Sequence, residues 1–353
     1  MPQLAMLAVP VGLLSGGVVI LFRILVESSQ GMLLPGADVE NYEGLSPALR
    51  LALPVAGGLL IGLLWQALKH GVRNVGITHV MERLAYHQGR LPWRNALMQF
   101  IGAALSIISG HSVGREGPSV HLGATSGSWL GQWLRLPNNT NRTLAACGIA
   151  AAIAASFNTP LAGVIFAMEV VMMEYSLVSF APVILSAVTA TTLTRAVFGN
   201  MPVFIIPHMQ LGSLMELPYV ILMGVVLGTL AAMFIHILER TTKLTNDWPV
   251  WLRFTLAGLC VGLIGLVVPE VMGIGYDTVN HALLGQLGLL LLLTVAIAKL
   301  FATAIGLGLG LPGGLIGPTV VIGATTGGVM GIIADSWLPG EIASPAFYAL
   351  IGL

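Results

Sequence analysis

Apolar residues in this chain run in long blocks instead of alternating with polar ones. Seven blocks read as bilayer-spanning helices: Leu4–Leu25, Leu49–Leu68, Ala96–Ile108, Leu177–Val197, Leu217–Leu238, Leu252–Val268 and Leu287–Leu307. A helix that crosses the hydrocarbon core uses about 20 such residues. Between them lie four shorter blocks, Val120–Leu134, Leu144–Ala155, Leu161–Val171 and Val320–Ile333, each preceded within a few residues by Gly, Pro or Asn. Helices that enter a membrane part-way persist only where their ends are buried in protein or line an aqueous cavity. The pattern predicts an all-α, polytopic membrane protein with broken and part-spanning helices, a transporter or channel and not a simple anchor. No basic start precedes the first block and no small-residue cleavage site follows it, so a cleaved signal peptide is not expected.

The few polar positions give the orientation. The connection from Lys69 to Arg94 carries Lys69, Arg73, Arg83, Arg90 and Arg94 against a single acid, Glu82. Such basic connections face the cytoplasm. The stretch Ser28–Asn41, with Asp38 and Glu40 and with Glu27 just before it, then faces the other side. No soluble domain, linker or low-complexity segment interrupts the chain, and residues 1–353 read as one transmembrane domain.

Composition sharpens this picture. Only 8% of the 353 residues are charged and 56% are hydrophobic, where a soluble domain carries roughly a quarter charged. Fifteen basic and fifteen acidic side chains cannot cover a water-facing surface of this size. An ordinary soluble enzyme and a nucleic-acid binder with a basic face are excluded. Membrane lipid is the expected surround, in a cell (inner) membrane, and no cofactor is implied. The 44 glycines exceed the usual share of about 7%, as expected where membrane helices pack backbone to backbone or break beside a cavity. Cys147 and Cys260 stand alone in apolar stretches and read as core fillers.

One pattern occurs twice. Gly114-Arg115-Glu116-Gly117-Pro118 precedes Ser-Val-His-Leu-Gly-Ala, and Gly314-Leu315-Ile316-Gly317-Pro318 precedes Thr-Val-Val-Ile-Gly-Ala. Proline in a first helical turn sacrifices no hydrogen bond. The amides around it form a helix start carrying about half a positive charge, which binds anions without a full cation. Weak, cation-free binding is what conduction requires, because a buried lysine would hold the anion too long. Matched motifs in two halves point to one central site seen from two sides. Glu116 is itself an anion at such a start. An acid at membrane depth signals a role: its carboxylate can occupy the anion's place and leave when protonated. Pairing with neighbouring Arg115 is the structural alternative.

These motifs, with Ser156-Phe157-Asn158-Thr159-Pro160-Leu161-Ala162-Gly163 and Gly313-Gly314-Leu315-Ile316-Gly317-Pro318, closely resemble the CLC family of chloride channels and proton/chloride antiporters. The resemblance runs from about Leu49 to the end and suggests a bacterial, channel-like member. It implies an inverted repeat, a homodimer and one anion pathway per subunit. Glu116 falls on the gating glutamate. The anion site maps to Val75, Gly76, Gly114, Arg115, Gly117, Leu315, Ile316 and Gly317, with the Leu315 and Ile316 amides on the family's anion-coordinating positions.

Four positions depart from the family pattern. Its Gly-Ser-Gly-Ile-Pro aligns with Asn74-Val75-Gly76-Ile77-Thr78, so Val75 replaces the serine that contacts the central anion. Ile316 stands where phenylalanine is usual. The antiporters' inner proton-transfer glutamate falls on Val170, leaving Glu169 and Glu174 as candidate relays; Glu174, four positions on, shares the face of Val170 on an α-helix. The family's central tyrosine and last helices would lie beyond Leu353. The expected function is therefore anion conduction by an uncoupled channel, with proton-coupled antiport and a non-conducting structural fragment as alternatives.

Weaker signals lead elsewhere. Gly308-Leu-Gly310-Leu-Pro-Gly313 fits a dinucleotide-binding string, but a long apolar helix precedes it where a strand is needed. His111 and His121 flank the acidic motif and read as packed or water-facing. Tyr276, Asp277 and Glu270 read as interfacial residues. No metal-ligand spacing and no Ser/His/Asp arrangement is present, so no enzymatic activity is expected.

Overall fold

A computed structural model describes every residue except 1, 38, 69, 174–176, 201, 207–215 and 338–342. The first half comprises α1 (Pro2–Leu33), α2 (Pro47–Ala67), α3 (His70–Arg73), α4 (Gly76–Tyr86), α5 (Trp93–Ile108), α6 (Glu116–Trp133), α7 (Asn138–Phe157), α8 (Pro160–Ile165) with a π-helical continuation (Phe166–Met172), and α9 (Leu177–Phe198). The second comprises α10 (Leu217–Thr245), α11 (Val250–Val267), α12 (Tyr276–Leu283), α13 (Leu289–Gly308), α14 (Ile316–Trp337) and α15 (Pro345–Gly352). Among the described residues the only extended pairing is one antiparallel bridge, Gly114 with Gly314.

Among the described residues, seven helices are long and apolar enough to span a membrane: α1, α2, α9, α10, α11, α13 and α14. That set differs from the predicted one by an exchange. The Ala96–Ile108 block becomes α5, 16 residues long and not among the seven. The Val320–Ile333 block extends to the 22-residue α14, because Gly317 and Pro318 belong to its first turn instead of preceding it. α1 also outruns its expected end and absorbs Ser28–Leu33. Gln30 there is buried and its amide donates to the Tyr42 hydroxyl at 2.9 Å.

The two halves repeat each other. Helices α2, α4, α5 and α6 begin at residues 47, 76, 93 and 116, and α11, α12, α13 and α14 at residues 250, 276, 289 and 316. The turn out of α5 uses Gly110 at φ 79° and the turn out of α13 uses Gly310 at φ 93°, a left-handed backbone that side chains resist. α2 packs directly on its counterpart α11. α6 packs on the alanine-rich α7, where a Cβ on Gly123 would strike the Gly148 carbonyl oxygen and the reverse. Such contact between small residues is the usual adhesive of membrane helices. It holds the start of α6 firmly against the protein interior.

Candidate functional site

The two matched loops meet. Gly114 N–H donates to Gly314 O at 2.7 Å and Gly314 N–H to Gly114 O at 2.7 Å, running antiparallel as breaks in two oppositely directed halves would. A Cβ on Gly114 would collide with the Glu116 carboxylate, so that close approach requires glycine. This bridge brings the starts of α6 and α14 together across 200 intervening positions.

Glu116 lies at this junction and is fully buried. Its Oε2 accepts the Gly317 N–H at 3.1 Å and its Oε1 accepts the Tyr276 hydroxyl. A buried carboxylate persists only with such donors. Arg115 turns away from it: one guanidinium nitrogen lies 3.4 Å from Glu27 Oε1, another reaches the Ser156 carbonyl at 3.4 Å, and the group stands 5.1 Å from the Tyr276 ring centre. The structural pairing of Glu116 with Arg115 is not formed.

Tyr276, expected at an interface, is buried as the first residue of α12. Its ring packs edge-on against Phe204 at 5.3 Å. Glu40 from the outer loop caps that helix start, with Oε2 accepting Gly275 N–H at 3.2 Å and Tyr276 N–H at 3.1 Å. Burial, and next to it the charge of Asp277, push the Glu40 carboxyl up to about 7. Lys299, fully buried, donates to the carbonyls of Val271 at 3.0 Å and Gly273 at 2.9 Å and so braces the turn into α12. Sequence reasoning passed over Tyr276, Glu40 and Lys299 as site residues. Only the lysine gave a local signal, as the lone charge inside the Leu287–Leu307 block.

Two cavities flank the junction. The outer one, about 340 Å³, is lined by Glu27, Glu40, Arg115, Tyr276 and Asp277 among others. The inner one, about 560 Å³, opens on the basic connection and is lined by Arg73, Val75, Gly76, Gln99, Gly117 and Leu315 among others. Arg115 lines one and Gly117 the other, so Glu116 falls between them along the chain. The expected anion-site residues thus divide. Val75, Gly76, Gly117 and Leu315 face the inner cavity, Arg115 the outer, and Ile316 and Gly317 form the first turn of α14. Besides the Gly317 amide held by Glu116, two amides are already engaged: that of Gly114 by Gly314 O, and that of Gly76 by His121 Nδ1 at 3.2 Å. Neither is a free donor in this arrangement.

Of the relay candidates, Glu169 is exposed on the π-helical segment and lines neither cavity. Glu174 lies outside the described residues. The segment holding Val170, Phe166–Met172, is π-helical and not α-helical, and its C-cap Met173 has φ 51°. His79 and His121, both buried, stand edge to face at 5.4 Å. Among the described residues, no group of three or more His, Cys, Asp or Glu is placed to hold a metal.

Residues 57–353 match the family model described as voltage gated chloride channel. A putative chloride channel protein ClcB-like of Ralstonia nicotianae is 35% identical over 329 residues, covering 91% of this chain and 77% of that protein. An H(+)/Cl(-) exchange transporter ClcA of Vibrio cholerae is 32% identical over 270 residues, covering 74% of this chain and 58% of that protein. The crystal structure of a CLC-type fluoride/proton antiporter superposes with a TM-score of 0.82 at 25% identity, covering 99% of this chain and 85% of the other.

Proposed function

The chain belongs to the voltage gated chloride channel (CLC) family of membrane proteins, and from that premise we propose that it passes chloride and other small anions through a pathway gated by Glu116, without coupling to protons. The observation that carries the gate is the seating of one buried carboxylate on the Gly317 amide in the first turn of α14, where the two loops cross. Seated, it takes the donors that an anion would use. Protonated, it is a much weaker acceptor, leaves the helix start, and lets an anion from the outer cavity enter on amides that bind without a full cation. The inner cavity then receives the anion. Supporting the uncoupled reading, Val170 has no group able to take a proton, and Glu169 lines neither cavity.

A second reading, proton-coupled exchange, rests on the histidine pair. His79 borders the inner cavity and His121 lies on α6 five residues from Glu116; both retain a buried Nε2 without a hydrogen-bond partner among the described residues. They are the groups that would replace Val170 as a relay. Simultaneous chloride and proton fluxes from liposomes separate the two readings. We expect a chloride gradient to move no protons uphill; stoichiometric proton movement would make the protein an exchanger. Glu116→Gln should leave anion flux fast and indifferent to external pH, and a wild-type pH dependence in that variant would remove Glu116 as the gate.

Around this pathway we place lipid and a second copy of the chain, in the cell (inner) membrane. Outward apolar side chains on α10, such as Ile221 at 68% exposure and Val225 at 62%, need such cover. Light scattering of the purified protein should give the mass of a homodimer.

A further inference from the structure

α5 carries two polar residues on one face, Asn95 and Gln99, four positions apart and so one turn from each other. Both N–H donors of Asn95 are used. Its amide donates to the carbonyls of Gly71 at 2.8 Å and Asn74 at 2.9 Å, pinning the turn that presents Val75 and Gly76. Gln99, one turn further, is completely buried, and neither its Oε1 nor its Nε2 has a hydrogen-bond partner among the described residues. It stands in the wall of the inner cavity with Val75, Gly76, Gly117 and Leu315.

A carboxamide offers two N–H donors and an accepting oxygen. Burying it unpaired opposes folding, and an apolar residue of the same size would avoid the penalty. Buried polar groups find partners in the working protein, and Gln99 is among the residues that line the cavity. Asn74, Thr78 and His79 also line the cavity, but of the groups around Gln99 the Val75 side chain has no donor, the Gly76 amide is held by His121, and Arg73 donates to the carbonyls of Leu68 and Gln66. We propose that Gln99 supplies the side-chain donor to a monovalent anion in the inner cavity, replacing from α5 the hydroxyl that Val75 cannot offer. A neutral donor suits passage, since it orients the anion without trapping it. The inference rests on the reading of this chain as an anion pathway and names a ligand that reading does not contain.

The test uses purified full-length protein, with chloride titrated by calorimetry in detergent and chloride and nitrate fluxes measured in liposomes. Gln99→Met keeps the volume and removes the donor; Gln99→Glu keeps the shape and adds a repelling charge. We expect chloride to bind about tenfold more weakly to Gln99→Met, undetectably to Gln99→Glu, and the chloride-to-nitrate flux ratio to fall in both. The response of flux to external pH should stay as in wild type, which a general packing defect would not ensure. Adding Val75→Ser to Gln99→Met should restore chloride binding by returning a side-chain donor to the cavity. Wild-type chloride affinity and flux ratio in a folded Gln99→Met or Gln99→Glu protein would overturn the assignment while leaving the pathway intact. Wild-type protein that neither binds nor passes any anion would instead remove the pathway and Gln99's role with it.

Discussion

Tyr276→Phe isolates one contact of the seated gate. The substitution removes only the hydroxyl that donates to Glu116 Oε1. The ring should keep its edge contact with Phe204 at 5.3 Å, its tilted contact with Phe157 at 6.3 Å and its place 5.1 Å from the Arg115 guanidinium. Glu116 then retains the Gly317 amide at 3.1 Å. A hydrogen bond to a charged group contributes about 1.5–3 kcal/mol, and every 1.4 kcal/mol is about a factor of ten in an equilibrium. Water from the outer cavity can replace part of the lost bond, so the lower end applies. The released population of the carboxylate should rise about tenfold. The assay is chloride efflux from liposomes at alkaline and at acid external pH. At alkaline pH, where the gate is seated, flux should rise about tenfold over wild type; at acid pH the two proteins should agree. In a Glu116→Gln background, Tyr276→Phe should change nothing. An equal rise at both pH values, or the same increment in the Glu116→Gln background, would refute the latch.

Three further outcomes follow from the same geometry. Val75→Ser places a hydroxyl in the inner cavity and should raise chloride over nitrate in flux ratio by several-fold, of the order of one hydrogen bond; an unchanged ratio means the side chain does not reach the anion. Glu40 has its folded-state carboxyl raised to about 7 by burial and by Asp277, so its contribution to stability is complete below about 4.5 and is lost as pH rises through about 7. Glu40→Gln should therefore abolish a fall in thermal stability across that interval, and a fall of the same size in the variant would refute the assignment. Gly148→Ala puts a methyl against the Gly123 carbonyl and should lower stability by about 1–3 kcal/mol, read as a lower temperature of aggregation in detergent; a wild-type temperature would mean that α6 and α7 part easily.

Long apolar blocks made the spanning helices legible, because span length and hydrophobicity are local properties of the chain. The boundaries failed where one residue type has two meanings. Gly317-Pro318 reads equally as a break before a helix or as its first turn, and it is the latter. α12 carries Asp277, Thr278, Asn280 and His281 in eight residues, too polar to register as membrane structure until α13, α14 and the outer loop surround it. The matched Gly-x-x-Gly-Pro motifs did announce a shared centre, and the bridge between Gly114 and Gly314 is that centre. What local pattern cannot convey is which distant group completes it. Tyr276 is 160 residues from the carboxylate it contacts, and Glu40 is 236 from the amide of Tyr276 that it caps. Gln99 did leave a trace, an amide one turn from Asn95 in a mostly apolar helix, whose meaning depends on the cavity beside it.

That long separation has a consequence for the order of synthesis. Glu116 emerges from the ribosome 160 residues before Tyr276 and 201 before Gly317. At about 5–20 residues per second, roughly 10–40 s elapse before both donors exist. Through that interval α6 cannot settle at its final depth, because its leading carboxylate would sit in lipid with neither partner. The N-terminal half must wait with residue 116 still wetted, and the pathway closes around it only when the second half arrives. A chain truncated before Tyr276 and carrying Glu116→Cys should then react with a water-soluble thiol reagent that the full-length Glu116→Cys chain resists; equal protection in both would mean that the first half buries this position unaided.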